Sequence, residues 1–271
     1  QMLKKGLLIV GVVGVGVALF LKLHVFSMPR NHGNVEIKLF LSQSENQPVV
    51  VAFGGSEGGN VYASDQLKEE RDKFLQRGYA FLAVGYFGTK TTPASLDRIS
   101  LNAIHDSISS IISTHPKINK NKVALYGSSR GGELVLNLAS RYKDYDAVVA
   151  IVPSNVSLPT SFGWGATSSW SFFDEEVTYI SSEKKPAGSG FFDKLNKMLE
   201  DEQAVNHAAI EVEKINGPIL FLSAKNDEVW PSTLMCNKMT ERLKSKNFNH
   251  RVEHIALEGS HAAAMQNSNY V

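Results

Sequence analysis

Three residues far apart in the chain have the types that nucleophilic acyl chemistry needs: Ser129, Asp227 and His261. Ser129 sits in Gly127-Ser128-Ser129-Arg130-Gly131, between an apolar run at 123–126 and a stretch that reads as a helix. In such a turn the serine takes a strained backbone position that lifts its hydroxyl clear, and side chains two residues to either side would collide. A serine hydroxyl is a weak nucleophile at neutral pH, so a histidine must take its proton. A carboxylate must then fix the imidazole tautomer and stabilise the imidazolium that forms. Asp227 and the rival Glu228 follow one apolar run, at 218–223; His261 follows another, at 252–257, in Glu258-Gly259-Ser260-His261. Taken alone, the serine pentapeptide also describes an ordinary Gly-rich strand-to-helix turn.

The chemistry also requires donors for the oxyanion. Gly54-Gly55-Ser56-Glu57-Gly58-Gly59 follows the apolar run 47–53 and reads either as a mobile turn or as an oxyanion loop. In the second reading a backbone N–H of Ser56 or Glu57 is one donor and that of Arg130, the residue after the nucleophile, is the other. The helix that begins at Arg130 would aim its free N-terminal N–H groups the same way.

Strands and helices must position these loops. Strands are expected at 35–41, 47–53, 79–86, 123–126, 147–152, 218–223 and 252–257, alternating with helices at 63–77, 94–114, after Arg130, and at 232–246. The run at 147–152 is apolar throughout, as suits a strand covered on both faces. His105 falls inside the expected helix 94–114, with no nucleophile beside it, and reads as structural or surface. From 154 to about 212 the alternation stops. Gly163-Trp164-Gly165, Trp170, Phe172-Phe173 and Phe191-Phe192 either pack this insertion on the core or form a cap with an apolar substrate pocket. Lys184-Lys185 within it reads as a solvated face or as a lure for an anionic substrate.

Ser129, Asp227 and His261, each after a strand, stand in the chain order of α/β-hydrolases. The expected fold is therefore α/β: a mostly parallel sheet flanked by helices, with a cap-like insertion and an N-terminal hydrophobic anchor helix. The segments Phe53-Gly-Gly-Ser-Glu-Gly-Gly59, Tyr126-Gly-Ser-Ser-Arg-Gly-Gly-Glu-Leu134, Gly217-Pro-Ile-Leu-Phe-Leu-Ser-Ala-Lys-Asn-Asp-Glu-Val-Trp-Pro-Ser232 and Gly259-Ser-His261 resemble the catalytic domain of acyl-CoA thioesterases and bile acid-CoA:amino acid N-acyltransferases. The resemblance spans residues 34–265 and implies an acyl-serine intermediate at Ser129, released by water, with Asp227 and His261 completing a triad. Transferases of the family characteristically carry cysteine at this position, so serine points to hydrolysis. The sequence departs from the family after His261, where Ala-Ala-Ala-Met replaces the usual Glu-Pro-Pro. It departs again ahead of residue 34, where an apolar segment stands in place of the usual β-sandwich.

That segment, residues 6–21, carries no charge; Lys4 and Lys5 precede it, and residues 23–26 extend it to the roughly 20 residues a bilayer span requires. It reads as an uncleaved anchor, with membrane contact through residues 6–26, or as a signal peptide cleaved after Ser27. The leading lysines favour an extracytoplasmic main domain, or an exported one after cleavage. The chain of 271 residues thus divides into 1–33 and a hydrolase domain, 34–271. Lys and Arg total 28 against 27 Asp and Glu, which gives no footprint for nucleic acid. One cysteine, Cys236, excludes an internal disulfide and a Cys-rich zinc site. No metal and no cofactor is expected, and oligomeric state is not encoded legibly. The expected partner is a small acyl thioester or ester, cleaved by a serine hydrolase. A dienelactone-hydrolase-like carboxylesterase, or a non-catalytic binding module on the same fold, is the alternative.

Overall fold

The computed structural model describes residues 13–17, 19, 27–160, 166–181 and 190–266. The expected anchor at 6–26 lies outside these except for 13–17, which are helical, and 19. Gly163-Trp164-Gly165 and Lys184-Lys185 also lie outside them. Among the described residues no helix is long and apolar enough to cross a membrane.

Seven strands form the main sheet: β1 (Glu36–Phe40), β2 (Gln47–Phe53), β3 (Ala80–Gly85), β5 (Ile118–Ser128), β6 (Ala147–Ile151), β9 (Ile219–Ala224) and β10 (Val252–Leu257). Their spatial order is β1-β3-β2-β5-β6-β9-β10. Only the β1–β3 pair is antiparallel; the remaining pairs are parallel, so their C-terminal ends share one edge. Side chains alternate between two cores, Val49, Val51 and Phe53 into one and Val50 and Ala52 into the other. The first core is closed by α2 (Leu101–Thr114), α3 (Arg130–Arg141) and α6 (Ser232–Ser245). On the opposite face lie α1 (Lys68–Gln76) and the short α7 (His261–Met265). This is the α/β-hydrolase arrangement that the chain order implied.

Two expected helices are shorter than the apolar spacing suggested. The helix expected at 94–114 begins only at Leu101. Arg98 has a positive φ of 45°, and Ile99–Ser100 forms strand β4 against β7 (Trp170–Phe172). Ser100 then caps α2, its hydroxyl accepting from the Ala103 N–H at 3.2 Å. The helix expected at 63–77 is a 3-10 turn over Val61–Ala63 followed, after a break, by α1.

The insertion has its own order. Strands β4, β7 and β8 (Glu175–Glu176) make a small second sheet, and α4 (Phe191–Leu199) and α5 (Glu202–Ala208) follow. Val156, Leu158, Ile180, Leu195, Met198, Trp230 and Met235 gather into a third apolar cluster that joins it to the loop after β9 and to α6. Its aromatics divide: Trp170 is fully buried, whereas Phe173 and Phe191 are exposed.

Candidate active site

β5 runs straight into α3 with Ser129 as the joint. Ser129 has φ 55° and ψ −118°, a conformation few L-residues adopt, and its N–H donates to the Ile151 carbonyl at 2.8 Å. The flanking glycines have a steric reason. A Cβ at Gly127 would overlap the Gly131 carbonyl oxygen, and one at Gly131 would overlap the carbonyls of Phe53 and Gly54. The sharp turn thus depends on backbone passing against backbone.

Asp227 follows β9, and His261 follows β10 as the first residue of α7 rather than as a loop residue. Ser260 caps that helix through the Ala263 N–H. With the proton on Nδ1, His261 donates to the Asp227 oxygens at 2.9 and 2.8 Å, and the Ser129 hydroxyl donates to Nε2 at 2.9 Å. All three residues are nearly buried, the His261 and Asp227 side chains being 7% and 2% exposed. Burial pushes the Asp227 carboxyl up, but hydrogen bonds from His261 and the Trp230 N–H and the pull of the imidazole outweigh it. The group is therefore held below its ordinary value. Glu228, the rival carboxylate, accepts instead from the His261 backbone N–H at 3.0 Å.

Arg130 opens α3, which points the helix N-terminus at the serine. Gly55 presses on Ser129: a Cβ there would come 2.9 Å from the Ser129 Cβ. The Gly55 N–H is occupied by the Glu57 carboxylate at 2.8 Å. Ser56 and Glu57 are themselves exposed. Tyr86 holds the loop from beneath, its hydroxyl donating to the Gly54 carbonyl at 2.8 Å.

Tyr86 and two further features escaped the sequence reading. Trp230 stands edge-on to His261, ring centroids 4.9 Å apart, and its indole N–H donates at 3.0 Å to the carbonyl of Val152, a β-branched residue at φ 41°. The Trp inside Asp-x-x-Trp was the available signal, since a buried indole seeks a partner. The other is an ion pair inside α3: Arg130 Nη1 lies 2.7 Å from the fully buried Glu133 Oε2. Glu133 also accepts from the Leu158 N–H at 2.8 Å and the Trp170 indole at 2.6 Å. Burial pushes its carboxyl up against the pull of these partners. An i, i+3 charge pair in a helix is ordinary, so nothing local revealed that this one is buried. His105 is structural, stacked on Tyr142 at 3.5 Å and bonded to the Tyr145 hydroxyl at 2.9 Å. Among the described residues no cluster could hold a metal.

A family model described as BAAT / acyl-CoA thioester hydrolase C terminal matches residues 105–262. One for α/β-hydrolases of unknown function matches residues 35–157. Acyl-coenzyme A thioesterase 6 of Mus musculus is 27% identical over 224 residues, covering 80% of this chain and 49% of the relative. Acyl-coenzyme A amino acid N-acyltransferase 1 of Mus musculus is 28% identical over 221 residues, covering 78% of this chain and 48% of the relative. The chain thus spans about half the length of these relatives. A solved puromycin-hydrolyzing peptidase of Mycobacterium tuberculosis superposes with TM-score 0.58 at 18% identity, over 88% of this chain and 36% of that one. That likeness is one of fold.

Proposed function

Since this chain belongs to the BAAT / acyl-CoA thioester hydrolase C-terminal family, we propose that it hydrolyses acyl thioesters through an acyl-serine intermediate. The observation that carries this is the unbroken hydrogen-bond line from the Ser129 hydroxyl through His261 to Asp227. In the proposed reaction His261 Nε2 takes the Ser129 proton as Oγ attacks the thioester carbonyl carbon. The oxyanion is met by the Arg130 N–H at the start of α3, with Ser56 or Glu57 as the source of the second donor. The Gly55 N–H is already committed to Glu57. Collapse expels the thiol, which leaves with the proton from His261. A water then gives His261 its proton while attacking the acyl-serine, and collapse of the second intermediate releases the acid as His261 returns that proton to Ser129 Oγ. Asp227 keeps the imidazole in the productive tautomer throughout.

Two observations favour water as the acceptor: serine at the nucleophile position, and a charged residue, Arg130, that is occupied by Glu133 rather than free to hold an acceptor. The test compares a long-chain acyl-CoA with a nitrophenyl ester of the same chain length, for the protein and its Ser129→Ala variant. Thioester turnover lost in the variant is expected. Ester turnover alone would make the protein a carboxylesterase, and turnover independent of Ser129 would overturn the serine mechanism. Membrane tethering through residues 6–26 is a further part of this proposal, supported by the charge-free run at 6–21. Retention of the full chain in the membrane pellet after alkaline extraction is expected.

A further inference from the structure

A cavity of about 600 Å³ opens at the far end of α3, in the size range of small-molecule sites. α3 is 12 residues long and Arg141 ends it, so the cavity lies about 18 Å from Ser129. Four cations line it, Arg141, Lys143, Lys214 and Arg242, against one carboxylate, Glu211. A second cavity of about 410 Å³ shares the walls Asn206, Ala209, Ile210 and Arg242 and adds Lys238 and Lys246.

Two of these cations are neutralised: Lys214 pairs with Glu211 at 2.6 Å, and Arg242 pairs with Glu213 through two bonds of 2.6 Å. The other four pair with no carboxylate among the described residues. Arg141 is the telling case. It is half-buried and directs Nη1 onto the Asn137 carbonyl and amide oxygen at 2.9 and 2.8 Å. Burial lowers its pKa against the pull of Glu211. Glu211 lies within electrostatic reach of this guanidinium but forms no ion pair with it, its own partner being Lys214. A partly desolvated guanidinium so placed favours an added anion, and its planar fork suits phosphate. Lys143, exposed at the rim, reaches across the cavity mouth, its ammonium donating to the Lys214 carbonyl. The Phe172 ring, 5.6 Å from the Arg141 guanidinium, supplies an apolar wall.

We propose that these adjoining cavities bind a phosphorylated small molecule of nucleotide size, its phosphates held by Arg141, Lys143, Lys238 and Lys246. The ligand has two possible sources: the nucleotide end of a CoA-type thioester engaged at Ser129, or a free nucleotide acting from a remote site. Binding requires no turnover, so this proposal stands or falls apart from the hydrolase reading.

The experiment titrates the full chain with adenosine 3′,5′-bisphosphate by calorimetry. Saturable binding that weakens with added salt is expected. Arg141→Gln should weaken it about tenfold, as loss of one charge-assisted contact does. Lys143→Gln and Lys238→Gln, at exposed side chains that leave the fold intact, should each weaken it by roughly 3-fold or more. No saturable binding, or binding indifferent to both lysine substitutions, would overturn the site. The source follows from hydrolysis of an acyl-CoA beside the matching acyl-pantetheine. A KM raised by Lys143→Gln for the CoA thioester alone assigns the substrate's nucleotide end. Unchanged KM for both, with bisphosphate binding weakened, assigns a free nucleotide.

Discussion

The proposed chemistry turns on a few atoms whose positions have local causes. Ser129 holds φ 55° at the joint where β5 ends and α3 begins, with backbone packed closely against Gly127 and Gly131 on either side. Strain of this kind costs about 1–3 kcal/mol and persists only where surrounding packing imposes it. Gly131→Ala tests that packing, since the added Cβ would overlap two carbonyl oxygens that cannot swing aside. A loss of about 3 kcal/mol in urea unfolding is expected, at the upper end for overpacking. Asp227→Asn probes the tautomer. It keeps the shape but turns a donor toward Nδ1, so kcat should fall about 10⁴-fold with KM nearly unchanged. The choice between Asp227 and Glu228 was open in the sequence because both are carboxylates in one loop. The turn separates the two: Asp227 Oδ1 accepts from the N–H groups of Val229 and Trp230 at 3.0 and 3.1 Å, which sets its carboxylate against His261 Nδ1, and the proposed mechanism uses it for that reason.

Among the elements, α3 links Ser129 to the insertion. Its residues from Arg130 to Ser140 are all buried, so the Arg130–Glu133 pair is buried as well. Glu133 grips Leu158 and Trp170, and Arg130 bonds the Leu158 carbonyl and the Ser169 hydroxyl. The pair thereby pins β7 and the preceding loop beside the serine. Glu133→Gln retains the shape and leaves the buried Arg130 without its counter-charge. A destabilisation of about 3–5 kcal/mol in urea unfolding is expected. The late start of α2 at Leu101 also comes from a contact between elements. Apolar spacing at 96, 99 and 101 fits a helix, but Ile99 and Ser100 satisfy their backbone by pairing with Trp170 and Ser171, far along the chain. Periodicity within a window carries no trace of such a partner.

For the whole molecule, titration links site and stability with opposite signs. Asp227 is held below its ordinary 3.8, so its stabilising share is complete above that value and drains as pH falls through the folded value. Glu213, lowered by its hydrogen bonds from Arg242, acts in the same direction. Glu133 is raised above its ordinary 4.5, so folding is penalised as pH climbs from there through the folded value. Urea midpoints across this acid range should show wild type losing ground to Asp227→Asn as pH drops below about 4.

Much of this protein is written locally. Apolar runs of strand length, the Gly-x-Ser-x-Gly turn and the order of serine, aspartate and histidine suffice for a parallel sheet whose loops meet at one edge. That is so because strand and turn preferences act over a few residues, and because parallel strands joined by helices place successive C-terminal ends on one side. Other features come only from contacts between distant segments. Burial of Arg130 with Glu133, the support of Gly54 by Tyr86, the docking of Trp230 on His261 and the convergence of cations at the end of α3 all depend on what packs against each side chain. A neighbour in space need not be a neighbour in the chain, and desolvation, which sets the cost of each charge, is a property of the packed whole.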